Sequence, residues 1–333
     1  MNKFGMLVVG GLLSLGAFAA DEGVTLGGYV DAGYDWSHQK GTADQGGFLV
    51  REGGVYVGKK FGEWQVFGDF MFGDNADAHG LNVSQAFLST SMDNGLSWKL
   101  GKFDGLFGAY AGQHDAWTHR LISKGLLQGY TPDSHTGWTG SYSLSDMLKV
   151  SALVANNSNP NLVKDEGTGH PDLGVVVNAD LDAVKADVGA LFKTGGYTSD
   201  TGSELGYAVT ANVHGKFSGF DLGVFGLYNK ADVKDAKSDF GFGLNVGYDL
   251  TSKLGLNARG EYLDTKSESI VYPGNTSATS VTGLKNAMLG TVGAQWKFSN
   301  SVVGKLDYSY LKADSATKFE PISRVNASVV ANF

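Results

Sequence analysis

The chain has no cysteine, only five prolines, and no excess of positive charge. Past its first nineteen residues it also has no apolar run approaching the roughly 20 residues of a membrane-spanning helix. Each absence excludes something. Without cysteine no disulfide framework can hold the fold, and no thiolate metal site exists. With 26 Lys and Arg against 34 Asp and Glu the net charge is −8, the wrong sign for general binding to nucleic acid. Scarce proline leaves long stretches free of strand breakers. What is abundant is glycine, at 49 residues, and aromatic side chains, at 12%. That balance, with regular apolar alternation, suits a β protein rather than a low-complexity disordered chain.

The amino end sets the compartment. Met1-Asn2-Lys3 is a positive start, Met6 to Phe18 is apolar or small throughout, and Ala17-Phe18-Ala19 fits the small-x-small rule of signal-peptide cleavage. Residues 1–19 are therefore expected to be a signal peptide and 20–333 the mature protein. The apolar stretch is too short to span a bilayer as a mature helix, and its competing explanation is a buried amino-terminal helix.

A two-residue period then runs from end to end. In "DFGFGLNVGYD" the residues Phe240, Phe242, Leu244, Val246 and Tyr248 alternate with Asp239, Gly241, Gly243, Asn245, Gly247 and Asp249. In the last ten residues Val325, Ala327, Val329, Ala331 and Phe333 alternate with Arg324, Asn326, Ser328, Val330 and Asn332. Alternation of this kind marks strands with one apolar and one polar face. Sixteen such segments can be read: 24–36, 47–60, 63–73, 80–92, 95–107, 135–145, 147–157, 171–180, 183–194, 203–214, 218–230, 238–249, 254–265, 284–298, 302–312 and 319–333. The second and fourth alternate poorly. Most are longer than the ~5–6 residues of soluble strands and match the ~9–11 that a tilted strand needs to cross a bilayer.

Connections alternate between short turns and longer polar loops, with both chain ends on the short-turn side. An even strand count, short turns on one side and long loops on the other predict an all-β fold: a transmembrane antiparallel β-barrel of about sixteen strands in a bacterial outer membrane. Aromatics on the apolar face cluster near the short turns (Trp64, Trp98, Phe220, Tyr248, Trp296, Phe298, Phe333) and near the long loops (Tyr34, Trp138, Phe192, Tyr228, Phe240, Tyr310), as two lipid–water interfaces select. A soluble sandwich also alternates but has no reason for two belts on one face. Closing a barrel requires the last strand to pair with the first, so Phe333 is expected in the inner belt, where a terminal aromatic on a two-period strand resembles the recognition signal read by the outer membrane's assembly machinery.

The opposite parity should line the interior: Asp31, Gln65, Asp69, Lys99, Lys185, Asp187, Asn257, Arg259, Glu261, Lys305, Asp307 and Arg324. Charges of both signs around the ring imply water inside, since an unpaired buried charge is costly, and sixteen strands are wide enough for an aqueous channel. The competing explanation is a plugged barrel in which these charges pair with one another. The longest connection, 108–134, "GAYAGQHDAWTHRLISKGLLQGYTPDS", carries its own apolar residues and His114, Asp115, Trp117, His119, Arg120 and Lys124. Loops of this length are usually functional. Its place as third outer loop resembles the inward-folded constriction loop of general porins, the alternative being a seventeenth strand near 120–130. Arg51, Lys99, Lys185, Arg259 and Arg324 on the wall are then the cations that Asp115 could face.

"QAFLSTSMDNGLSWKLGKFDGLFG", "THRLISKGLL" and "HTGWTGSYSLSDMLKVSALVANN" together resemble the core of the beta-barrel porin-2 family, the OmpL-like porins. The matching residues are Gly101-Lys102-Phe103, His135-Thr136-Gly137 and Val154 to Asn157, within about 85–157. The resemblance implies a porin-type channel and brings no catalytic residue or cofactor. Trimerisation is expected by analogy with general porins.

Nothing in the sequence commits to chemistry. His114-Asp115 with His119 has no metal-ligand spacing that can be defended. Asp133-Ser134-His135 puts neighbours on opposite faces of a strand, which keeps a Ser–His couple from converging. "GFGLNVG" is an alternating strand with no helix after it, hence no dinucleotide loop. The expected function is passive diffusion of small hydrophilic solutes and ions through a water-filled channel. The rivals are an enzyme at the barrel rim and a structural or adhesive barrel with a closed lumen.

Overall fold

The computed structural model describes residues 24–73, 81–108, 120–156, 171–193, 206–230, 237–265, 269–272, 279–282, 284–315 and 319–333. The signal-peptide segment, Asp115 and His119 lie outside them. In chain order the strands are β1 (Val24–Gln39), β2 (Gln45–Phe61), β3 (Trp64–Phe72), β4 (Leu81–Ser91), β5 (Leu96–Asp104) and β6 (Ser134–Ser143). β7 (Leu148–Ala155), β8 (Asp172–Leu181), β9 (Val184–Lys193), β10 (Gly206–Phe217), β11 (Phe220–Lys230), β12 (Ser238–Asp249) and β13 (Leu254–Asp264) follow. A small hairpin of β14 (Ser269–Tyr272) and β15 (Thr279–Thr282) comes next, then β16 (Leu284–Lys297), β17 (Val302–Ser315) and β18 (Ile322–Asn332).

Sixteen of these, all but the hairpin, form one closed antiparallel barrel in which each strand pairs with its neighbours in sequence. The seam is β1 on β18, in register from Tyr29 opposite Asn332 to Gln39 opposite Ile322. Phe333 extends it: its N–H donates to the Gly28 carbonyl at 2.9 Å, and the Gly28 N–H donates to its carbonyl at 3.0 Å. Closure leaves no open edge, which a bilayer would not tolerate.

Local chemistry sets the short turns. Ser218 and Gly219 between β10 and β11 both have positive φ, 47° and 85°, the signature of a two-residue hairpin turn whose twist matches the strands. Gly62 (φ 63°) and Asp182 (φ 60°) do the same work in their hairpins. On the outer surface Val188, Val224, Phe242, Met288 and Leu306 are exposed, and Trp64 packs edge-to-face on Trp98 with centroids 5.1 Å apart, the apolar band a lipid requires.

The two strands that alternate poorly each carry a bulge. The register against β1 slips between Asp31 opposite Glu52 and Ala32 opposite Val50, leaving Arg51 as the extra residue of β2. The register against β3 slips between Asp69 opposite Gln85 and Phe70 opposite Val83, leaving Ser84 extra in β4. One added residue reverses which parity faces outward. Val57 is exposed on one side of Arg51 and Phe48 and Val50 on the other. The region read as the outer loop 37–46 is correspondingly shorter, because β1 and β2 run on to Gln39 and from Gln45. The region 266–283 read as plain loop carries the β14–β15 hairpin.

Candidate functional site

The inner wall and the third long loop meet. At the loop's base the Gly105 N–H donates to the Asp133 carbonyl at 2.8 Å. Phe103, Phe107, Leu126 and Leu127 are buried inside the barrel rather than exposed above it. There is no seventeenth strand over the described residues 120–133; the ordered element is one turn of 3-10 helix, η1 (Leu127–Tyr130). Desolvation inside the barrel, with Asp239 nearby, pushes the Tyr130 hydroxyl above its ordinary pKa, so it remains protonated.

Acids on the wall receive the loop's backbone. The Asp307 carboxylate on β17 accepts the Ile122 and Ser123 N–H groups, both at 2.7 Å, and the Ser123 hydroxyl at 2.9 Å. Asn326 on β18 donates to the same carboxylate and to the Ser123 hydroxyl oxygen, both at 2.8 Å. Arg259 on β13 donates to the Ser123 carbonyl at 2.8 Å, and Glu261, two residues on along the same face, accepts the Leu126 N–H at 2.7 Å. Arg259 and Glu261 also pair with each other at 3.4 Å. The loop has no helix or sheet to satisfy its own N–H groups here, and the wall supplies the acceptors. Closer to the short turns, Arg120 reaches Asp221 and Asp249 at 3.3 and 3.5 Å and donates to Asn257 at 3.4 Å.

Glycines on the inward parity make room for these contacts. A Cβ on Gly241 would meet Leu127, one on Gly247 would meet Arg120, and one on Gly293 would meet Leu121. Across the barrel, a Cβ on either Gly174 or Gly189 would meet the Phe107 ring. These glycines admit side chains from the loop, a role that inward-facing glycine could have signalled in the sequence.

The remaining residues singled out from sequence fall into separate groups. Arg51, at its bulge, is buried with Asp31 at 3.3 Å and a closer contact to Asp35, and it donates to the Ala327 carbonyl at 3.1 Å. Asp69 is buried on β3. Asp187 accepts from Asn212 at 2.6 Å, while Lys185 pairs with Asp180 at 2.6 Å beside a short turn. Arg324 is half-buried, in register with Ser37 on one side and Ser309 on the other. Lys99 holds its ammonium 4.7 Å from the centre of the Phe87 ring. Arg259, Glu261 and Arg51 are thus packed under loop or wall groups, where sequence alone put them in water. His135 is enclosed by Phe103 and Phe107, with no hydrogen-bond partner for Nε2 among the described residues, and so is not coupled to Ser134 through that atom. Among the described residues no three His, Asp or Glu side chains converge to hold a metal.

A family model described as "Putative beta-barrel porin-2, OmpL-like" matches residues 23–330. No curated protein matches the chain in sequence. Solved structures share the fold. The anion-selective porin from Comamonas acidovorans aligns with a TM-score of 0.68 at 14% identity, over 93% of this chain and 99% of its own. The outer membrane channel DcaP of Acinetobacter baumannii aligns with 0.67 at 13% identity, over 95% and 99%. The trimer form of OmpT, an outer membrane protein of Vibrio cholerae, aligns with 0.60 at 14% identity, over 94% and 100%.

Proposed function

The chain belongs to the beta-barrel porin-2, OmpL-like family, and from that premise we propose that it conducts small hydrophilic solutes and ions passively through a lumen narrowed by its third long loop. The observation that carries the narrowing is the set of wall acids bonded to the backbone of residues 122–126. A loop held by carboxylates and side-chain amides keeps a fixed cross-section, and fixed charges beside a narrow aqueous path select among ions.

The protein works in the outer membrane. Residues 1–19 act as a cleaved export signal, lipid contacts the exposed aliphatic band, and the closing strand with Phe333 engages the barrel-assembly machinery. A homotrimer is the assembly proposed, because a trimeric form occurs among the structural neighbours. No cofactor or metal enters the mechanism, and no nucleic acid is a partner.

Planar-bilayer recording tests this directly. The intact protein gives discrete conductance steps, and deletion of Gln113 to Lys124 raises them and weakens ion selectivity. Neutralising Asp115 shifts selectivity towards anions with little change in conductance. An intact barrel with no conductance would favour the closed structural reading, and unchanged conductance on deletion would remove the loop from the gate.

A further inference from the structure

The wall formed by β2 to β5 carries a different surface. Three rings on adjacent strands point inward and stack side by side: Tyr56 on β2 lies 6.1 Å from Phe67 on β3, and Phe67 lies 5.2 Å from Phe87 on β4, with interplanar angles of 26° and 29°. Their parity is that of Gln65 and Asp69, opposite to the outward Val66 and Phe70. All three rings are half-buried, and Phe87 packs in part against the buried apolar cluster that includes Phe103 and Phe107. The row ends at β5, where the exposed Lys99 sits over Phe87. No acid among the described residues forms an ion pair with Lys99. Two charges lie near enough to act on it, the Asp104 carboxylate at the end of β5 and, more weakly, the exposed Lys149 ammonium on β7.

A lumen for water and ions alone gains nothing from a row of rings, and a ring row that only filled space would not end in a solvent-exposed ammonium. We propose that this wall is a binding site for small aromatic carboxylates, a substrate class that deepens the channel function and rests on it. The solute's ring lies offset on Phe67 and Phe87, the geometry aromatic pairs prefer. Its carboxylate takes the Lys99 ammonium, whose flexible stem lets it leave the Phe87 face. Neither group suffices alone: acetate has no ring and benzyl alcohol has no charge.

The experiment is single-channel recording in potassium chloride with benzoate, acetate or benzyl alcohol added to one side. Benzoate should interrupt the current in a concentration-dependent way at levels where the other two do not. Lys99→Gln, and separately Phe67→Leu with Phe87→Leu, which keep bulk but lose charge or ring, should each weaken the block by about tenfold. Block by acetate equal to that by benzoate, or unaltered block in both variants, would overturn the assignment. Absence of any potassium chloride current would instead sink the channel itself. Saturation-transfer NMR of benzoate on the folded protein in detergent reads the site without a current, and no transfer there also overturns it.

Discussion

Replacing Asp307 by asparagine removes the charge that gathers the loop while nearly preserving the side chain's shape. The carboxylate accepts four donors: two backbone N–H groups, one hydroxyl and the Asn326 amide. An amide keeps one acceptor oxygen and turns an NH2 group towards donors, so at least two of the four bonds are lost. Hydrogen bonds to a charged group contribute about 1.5–3 kcal/mol each, so the docked loop is weakened by about 3–6 kcal/mol. Since about 1.4 kcal/mol is tenfold in an equilibrium, the undocked population rises by about two to four orders of magnitude. Arg259 and Glu261 still hold Ser123 and Leu126, so the loop exchanges between docked and free states rather than leaving permanently. In planar bilayers D307N should therefore flicker between the original conductance and a larger one. The barrel's thermal transition, followed by the mobility shift of unboiled protein on a denaturing gel, should stay close to the parent because the strand ladder is untouched. A folded D307N channel as quiet as the parent, at the same conductance, would refute the role given to this carboxylate.

Arg120→Ala removes contacts to Asp221 and Asp249, carboxylates that are a third and a half exposed. Such pairs contribute roughly 0–1 kcal/mol, so in molar salt the recording should differ little from the parent. Arg51→Leu takes from Asp31 and Asp35 the guanidinium they share, leaving Lys305 as the cation near Asp31; breaking a buried pair costs about 3–5 kcal/mol, and the gel-shift temperature should fall clearly, an unchanged transition counting against the pairing. Phe333→Ala should lower outer-membrane yield while leaving export across the inner membrane intact, as fractionation and immunoblotting would show. Normal membrane yield would make the terminal ring dispensable.

The barrel was legible because lipid outside and polar groups inside write the same period into each strand. Phe240 to Tyr248 carry it without interruption, and Val325 to Phe333 with a single apolar residue, Val330, in the polar set. It failed where Arg51 and Ser84 add a residue and invert the phase: two in-phase halves look like a weak strand when read as one. The loop's length marked it out, but its docking did not show, since backbone N–H groups donating to Asp307 and Glu261 leave no trace in residue type. The inner charges were found by parity, yet their pairing was not. Parity gives the face, and only the fold decides whether water or a loop covers Arg259. The ring row was hidden for the same reason, because Tyr56, Phe67 and Phe87 are dispersed in sequence and meet only through the β2–β3 register and a β3–β4 register offset by the bulge at Ser84.

The loop between β5 and β6 is bonded to β17 and β18, across 185 residues from Ile122 to Asp307 and 203 from Ser123 to Asn326. Those partners are among the last parts of the chain to be made. During biogenesis the loop can meet Arg259 and Glu261 on β13 first, but it lacks Asp307 and Asn326 until the final hairpin arrives, so the closing of the β1–β18 seam and the full capture of the loop become one late event. An incompletely zipped barrel would be wider inside than the finished one, so leakiness is confined to the short interval before the last strand seats. A defect that slows seam closure would then announce itself first as permeability, before any loss of protein from the membrane.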